Sequence, residues 1–294
     1  MIARQMKEDN QMKNYVLFNS LAGGGKCEDD ARMLATLLDG KTEFINLLKI
    51  KNYQLFFSTL NGDDKLFLCG GDGTLNKFVN NTQGIDIKND IYYFPCGTGN
   101  DFATDIGFSA CSYPVKINEY IVNLPTVTVD NDITAKFING VGYGIDGYCA
   151  DEGERLRSLG KKKINYTNIA VKGLLFFYRP TNATVIIDDK EYFFKKVWLA
   201  PTMNGRYYGG GMMPAPNQRR LRDDKRVTLM IFHGAGKLRT LINFPSIFKG
   251  EHVNNQKIVK IFEGKKITVK FDRPTPLQID GETIVNVREY TVEV

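Results

Sequence analysis

A chain of 294 residues, 43% of them hydrophobic, can bury a large core, and its length suits two domains better than one. Lysine and arginine exceed the acids by 39 − 33 = +6, a mild excess that suits anionic partners such as nucleotides or an acidic membrane surface. No basic–aromatic motif of a nucleic-acid module appears, the first residues lack the apolar core of a signal peptide, and no apolar run approaches the ~20 residues that span a bilayer, so a soluble protein is expected.

From residue 15 to about 105 the pattern alternates. A strand-like run at 15–18 leads through a glycine-rich turn into a helix over 28–38. A strand at 44–48 precedes 52–60, where Tyr53, Phe56, Phe57 and Leu60 stand at helical spacing. A strand at 65–69 precedes a helix over 74–81, and a strand at 91–94 runs into another glycine loop. Such βαβα alternation predicts a parallel sheet covered by helices, with ligands at the C-terminal ends of the strands, where all three glycine loops fall. After Leu124-Pro125 the texture changes to β-branched strands with tight turns: 127–129 and 133–138 around Asp130-Asn131-Asp132, and 185–187 and 192–199 around Asp188-Asp189-Lys190. Helices are expected over 151–159 and 166–177, and the tail 227–294 reads as short strands. The expected division is an α/β nucleotide-binding domain over 1–125 and a mainly antiparallel domain over 126–294, whose last residues are free to pack back on the first.

The glycine loops carry the chemistry. Residues 69–76 read Cys-Gly-Gly-Asp-Gly-Thr-Leu-Asn after one strand, and 97–102 read Gly-Thr-Gly-Asn-Asp-Phe after another. Glycines at a strand end let the backbone approach a ligand, and the following helix aims its amide-rich N-terminus there, as a phosphate requires. Asp72 adds a carboxylate that makes electrostatic sense beside a cation or a transferable proton, although an aspartate there can also simply cap the next helix. Asn100-Asp101 has the same double reading. Residues 20–27 imitate a Walker A loop, but Ser20 and Cys27 replace its first glycine and its final hydroxyl residue, leaving a looser turn whose amides and Lys26 meet phosphate. Residues 142–147 match GxGxxG, a weak signal at this place in the chain, and are expected to pack between domains. Asp280-Gly281-Glu282 is a hairpin turn that could supply a base. Arg155, Arg157, Lys161, Lys162 and Lys163 form either a solvated face or an anchor to anionic head groups. Five cysteines, Cys27, Cys69, Cys96, Cys111 and Cys149, are odd in number, far apart and without a CxxC pair. With only His233 and His252 besides, no disulfide framework, zinc site or histidine relay is expected, and a reducing cytoplasm is the expected home.

Together these motifs resemble the diacylglycerol kinase catalytic-domain family, lipid kinases that include bacterial diacylglycerol-kinase-like proteins and the sphingosine and ceramide kinases. The match runs nearly end to end: Asn19 with the glycine turn 23–25, residues 70–76, 97–103 and 137–146, Asn204-Gly205-Arg206-Tyr207-Tyr208-Gly209-Gly210-Gly211-Met212, 221–226 and 280–282. GGDGT alone is shared with NAD kinases and, more loosely, phosphofructokinases; the order GGDGT, GTGNDFA, NGxYYGGG, DGE is specific to the lipid-kinase branch. The resemblance implies an α/β domain and a β-sandwich domain with ATP and magnesium in the cleft between them. It places nucleotide contacts on Asn19, Gly23, Gly24, Gly70, Gly71, Asp72, Gly73, Thr74, Asn76, Lys77, Thr98, Asn100 and Asp101. It makes Glu282 the proton acceptor for the lipid hydroxyl, with Asp280 and Asp72 as holders of magnesium and its waters, and gives a metal loop in which the Asp224 carboxylate and the carbonyls of Leu221 and Arg226 bind the ion.

The chain departs from the family at Ser20 for proline, Lys77 for glutamate, Thr104 for arginine and Lys225 for glycine. The exchange at Lys77 reverses a charge, so Lys77 either pairs with phosphate or weakens nucleotide binding. The expected function is an ATP- and magnesium-dependent lipid kinase, cytoplasmic and peripherally membrane-associated, by default converting diacylglycerol to phosphatidic acid. An NAD kinase and a non-catalytic nucleotide or anionic-lipid binding protein are the alternatives, and a homodimer is compatible with all three.

Overall fold

The computed structural model describes residues 12–97, 99–108, 113–161 and 164–294. Two compact units divide at Val122 and Asn123.

The first unit alternates as the sequence predicts. It runs β1 (Lys13–Phe18), a 3-10 turn (Ala22–Gly25), α1 (Cys27–Ala35), β2 (Lys41–Asn46), a 3-10 turn (Leu47–Lys49), α2 (Tyr53–Ser58), β3 (Lys65–Gly70), α3 (Asp72–Asn81), β4 (Asp90–Pro95), α4 (Asp101–Asp105), β5 (Val115–Lys116) and α5 (Asn118–Ile121). The sheet order is β2-β1-β3-β4-β5, with the first four strands parallel and β5 antiparallel at the edge. Val16, Leu17, Leu66 and Leu68 are wholly enclosed, as strands covered on both faces require. Asn52 accepts a hydrogen bond from the Leu55 amide and fixes the start of α2. Helix α3 begins two residues before the expected position 74, because Gly71 is its N-cap and the glycine loop itself forms its first turn.

The second unit holds β6 (Thr126–Val129), β7 (Ile133–Lys136), β8 (Gly140–Tyr143), α6 (Ile145–Ser158), α7 (Tyr166–Lys172) continued by a π-helical turn (Gly173–Phe177), β9 (Thr181–Ile187), β10 (Lys190–Val197), β11 (Thr202–Met203), β12 (Val227–Phe232), α8 (Lys237–Asn243), 3-10 turns at Phe244–Lys249 and Glu251–Asn254, β13 (Val259–Gly264), β14 (Lys266–Ile279) and β15 (Glu282–Glu293). All pairings in its ten-stranded sheet are antiparallel. Its hairpin turns place Asp130, Asn131, Asp188, Asp189 and Asp280 at positive φ, the conformation that made these residues legible as turn formers.

The tail corrects the expectation of short strands: β14 and β15 are 14 and 12 residues long, and α8 precedes them. A register irregularity between Lys270 and Thr275 divides β14, so that one half pairs with β9 and the other with β8. Inward-facing residues from the whole sheet, among them Val129, Phe137, Val185, Leu229, Phe271 and Tyr290, then share one core, with Tyr143 stacked on Phe271 at 3.9 Å. Strand β15 lies between β14 and β6, hydrogen-bonded to both. No helix among the described residues is long and apolar enough to cross a membrane.

Candidate active site

Because β1, β3 and β4 are parallel neighbours, the loops at their C-terminal ends emerge side by side. Contact between them is backbone to backbone. A Cβ on Gly97 would lie 2.5 Å from the Gly71 Cα, one on Gly71 would lie 3.0 Å from the Gly97 Cα, and one on Gly23 would lie 2.9 Å from the Cys96 carbonyl oxygen. Only glycine permits this approach. Gly71 caps α3 without a side chain, so the helix presents its N-terminal amides with no side-chain acceptor drawn across them.

Asp72 has a different partner from the one expected. Its carboxylate accepts hydrogen bonds from the amides of Asp101 (2.8 Å) and Phe102 (2.9 Å), so it caps α4 rather than its own helix and ties the second loop to the third. Asn100 holds the N-cap position at φ +48° but makes no cap hydrogen bond. Its side chain instead closes on Gly97, accepting from the amide at 3.0 Å and donating to the carbonyl at 2.8 Å. Thr104, where the family carries arginine, donates to the Asn100 carbonyl. Asn19 accepts from the Leu21 amide, and Gly23 and Gly24 take positive φ in the turn that follows. Thr74, Asn76 and Asp101 are buried, whereas Lys77 is exposed on α3 beyond the loop, so the charge reversal there falls on the helix surface. Thr98 lies outside the described residues. Beneath the loops three cysteines far apart in sequence meet: the Cys27 thiol donates to the Cys69 carbonyl and lies 3.3 Å from the Cys96 sulfur. The Cys27 hydrogen bond and burial push Cys96 up, and burial pushes Cys69 up, so both are thiols.

The other predicted residues lie in the second unit. Asp280, at φ +47°, accepts from the amides of Ile138 (2.5 Å), Asn139 (2.8 Å) and Gly140 (3.0 Å), and Gln278 accepts from the Gly281 amide at 2.6 Å. The Asp-Gly-Glu turn is thereby fixed from two sides, and Glu282 is exposed at the start of β15. Residues 138–140 also receive the Asn-Gly motif: Asn204 and Gly205 donate their amides to the Asn139 carbonyl, and the Asn204 side chain donates to Ile138. Arg220 reaches the Ile138 carbonyl and the Asn139 side chain, both at 2.5 Å. Sequence reasoning missed Arg220, Gln218 and Gln278, since no spacing or motif marks them, and it named Asn139 only as part of the matched run 137–146.

Residues 142–147, expected to pack between domains, make close contacts inside the second unit. A Cβ on Gly142 would lie 1.7 Å from Asp146 Oδ2, and one on Gly147 would lie 2.0 Å from the Pro276 carbonyl oxygen. Asp146 is buried; Oδ2 accepts from the Tyr208 hydroxyl at 3.0 Å, while Oδ1 has no hydrogen-bond partner. Burial pushes its carboxyl up to about 6, against the Tyr208 hydrogen bond. Since the folded value exceeds the unfolded 3.8, the native state binds the proton more tightly, and stability falls as pH rises from about 4 to about 6, by up to (6 − 3.8) × 1.36, or about 3 kcal/mol. Asp146→Asn is expected to gain on the parent at pH 8 and not at pH 4 in urea unfolding; parallel pH curves for the two proteins would refute this.

The expected metal loop is an ion-paired turn. Both oxygens of Asp224 are held by Arg222, at 2.5 and 3.0 Å, and its carboxyl lies below the usual range because of that contact. Arg226 approaches the same carboxylate at 3.7 Å, and its carbonyl accepts from Gln218 at 2.9 Å. In this conformation Asp224 is engaged by Arg222 and Arg226, and among the described residues no group of three or more His, Cys, Asp or Glu could hold a metal ion. Lys225 nevertheless keeps φ +53°, the conformation that suits the glycine usual in the family. Lys225→Gly is expected to raise stability by about 1 kcal/mol by relieving that strain, read as a higher melting temperature.

Comparison with known proteins bears on both units. The family profile described as "Diacylglycerol kinase catalytic domain" matches residues 13–130, and that described as "YegS C-terminal NAD kinase beta sandwich-like domain" matches 139–293. A protein of Mycobacterium tuberculosis named "Diacylglycerol kinase" is 27% identical over 272 residues, covering 88% of this chain and 85% of that protein. The crystal structure of a diacylglycerol kinase from Bacillus anthracis superposes with a TM-score of 0.58 at 17% identity, covering 96% of this chain and 93% of the other, a likeness of fold. With its glycine loops, its Asp-Gly-Glu turn and both units matched in order, the chain belongs to the diacylglycerol kinase family of lipid kinases and is a phosphotransferase with an alcohol group as acceptor.

Proposed function

We propose that the protein transfers the γ-phosphoryl group of ATP, supplied as its magnesium complex, to the free hydroxyl of a membrane-derived lipid, converting diacylglycerol to phosphatidic acid. The observation that carries this reading is the backbone contact of Gly71 with Gly97 beside the α3 N-terminus, which sets two amide-rich loops around the space an anionic phosphate chain would fill. In this reading Asn19, Gly23, Gly24, residues 70–74, Asn76, Lys77, Thr98, Asn100 and Asp101 form the nucleotide site. Glu282 accepts the proton of the acceptor hydroxyl as its oxygen bonds to phosphorus and the bond to the β–γ bridging oxygen breaks. Magnesium, when bound with the nucleotide, offsets phosphate charge; Asp224 is not assigned to it. Asp280 and Asp72 act by holding the turn and the loops through their amide bonds.

The test is a panel of lipid hydroxyl acceptors and NAD offered to purified protein with ATP and magnesium, read by the mass of the product. A phosphorylated lipid supports the reading, with phosphatidic acid from diacylglycerol as the expected product. Phosphorylation of NAD alone would overturn it.

A further inference from the structure

Four large apolar side chains of the second unit stand in solvent on neighbouring elements: Phe176 (70% exposed) and Phe177 (66%) on the π-helical turn, Leu238 and Ile242 (69% each) on α8. Their elements are anchored by the opposite faces. Leu174 is wholly buried, and Leu241 and Phe244 pack against a core that includes Trp198, Tyr178 and Phe232. Leu238 and Ile242 are one helical turn apart, so together they form an outward stripe. The two elements are joined by Lys237, whose ammonium donates to the Leu175 carbonyl at 2.7 Å. Phe248 adds an exposed ring to the 3-10 turn that continues α8. Solitary exposed apolar residues are ordinary on protein surfaces, but a contiguous set of this size marks an interaction surface.

The charge around the set identifies the partner. Residues 166–180 and 234–250 carry Lys172, Arg179, Lys237, Arg239 and Lys249 and no aspartate or glutamate. Apolar tips on segments that carry five basic side chains, with Glu251 the nearest acid in sequence, complement the acyl boundary and phosphate head groups of an anionic bilayer. A second copy would bring an equal excess of positive charge against the first. In the basic run named from the sequence, Arg155 is paired with Glu152, Arg157 donates to the Tyr166 hydroxyl and Lys161 is exposed; Lys162 and Lys163 lie outside the described residues.

We propose that the face formed by the π-helical turn Gly173–Phe177, α8 and the turn Phe244–Lys249 docks on anionic bilayers, with Phe176, Phe177, Leu238 and Ile242 entering the interface and the basic side chains contacting lipid phosphate. The proposal deepens the lipid-kinase reading and rests on it for its purpose, but its test requires no turnover. Sedimentation of the whole protein, without nucleotide, with vesicles of phosphatidylcholine alone or mixed with phosphatidylglycerol should show salt-sensitive binding to the mixed vesicles. Phe176→Ser/Phe177→Ser and Leu238→Ser/Ile242→Ser should each weaken it at least about tenfold with an unchanged melting temperature, because the side chains contribute little to the core. In Phe177→Trp, mixed vesicles should shift the added indole's emission to the blue, and bromine-labelled acyl chains should quench it.

Failure of the parent to bind mixed vesicles overturns the proposal, as does parental binding by both double variants. Size-exclusion chromatography in which the same variants dissociate a dimer, with vesicle binding unaltered, would assign the face to a second copy instead. Turnover of a dispersed short-chain diacylglycerol should be equal in parent and variants. Absence of turnover in all of them, with vesicle binding intact, counts against the kinase substrate assignment and leaves the docking face standing.

Discussion

Glu282→Gln is expected to lower kcat by about 10²–10⁴-fold while leaving ATP affinity near the parental value, since the amide keeps the size and polarity of the side chain and cannot accept the hydroxyl proton. The local structure holds the turn independently of the Glu282 side chain. The turn is held by the carboxylate of Asp280 on the amides of residues 138–140 and by Gln278 on the Gly281 amide. Replacing the exposed neighbour leaves those bonds in place. Single-turnover rates with saturating ATP, beside the nucleotide Kd from titration, separate the two quantities. Parental kcat in Glu282→Gln would remove it as the base. Asp280→Asn should also reduce kcat, but with a measurable loss of stability, because the amide cannot replace a carboxylate that accepts three backbone hydrogen bonds.

Asp72→Asn is expected to lower kcat more than about tenfold, equivalent to ~1.4 kcal/mol of barrier, and to raise the KM for ATP. The cause is the tie between loops. Both carboxylate oxygens receive amides from the start of α4, and asparagine offers one oxygen and a competing donor. One amide of α4 then loses its acceptor, at a cost of about 1–3 kcal/mol, and the third loop loosens against the second. Unfolding free energy should therefore fall together with activity. A collapse of kcat with unaltered stability and ATP affinity would instead place Asp72 in the chemistry.

The glycine loops were legible because the requirement they meet is local: a strand end must turn sharply into a helix, and glycine announces it. The partner of Asp72 was not, since Asp101 and Phe102 lie 29 and 30 residues away and both readings weighed for Asp72 looked to its own loop and helix. The long strand β14 was hidden by its own sequence. Asp272-Arg273-Pro274-Thr275-Pro276 reads as a break, yet the chain passes through it as an irregularity that changes pairing partners from β9 to β8. Arg220 illustrates the same limit in the site. A lone arginine among surface charges gives no signal that it will reach a carbonyl and an asparagine 82 and 81 residues upstream. In the segment 221–226, likewise, nothing in the sequence signals that Arg222 holds Asp224 through both carboxylate oxygens.

The three sulfurs beneath the loops provide a natural clock. Cys27 and Cys69 are wholly enclosed where the first, second and third loops abut. An alkylating reagent can reach them only during excursions in which the loops part, so the modification rate reports the opening equilibrium of that corner of the sheet. A ligand that bridges the loops lowers the open population by the factor 1 + [L]/Kd, and must slow alkylation by the same factor. Protection of these two thiols, followed by peptide mass at increasing concentrations of candidate nucleotides, would then rank the ligands with native side chains alone.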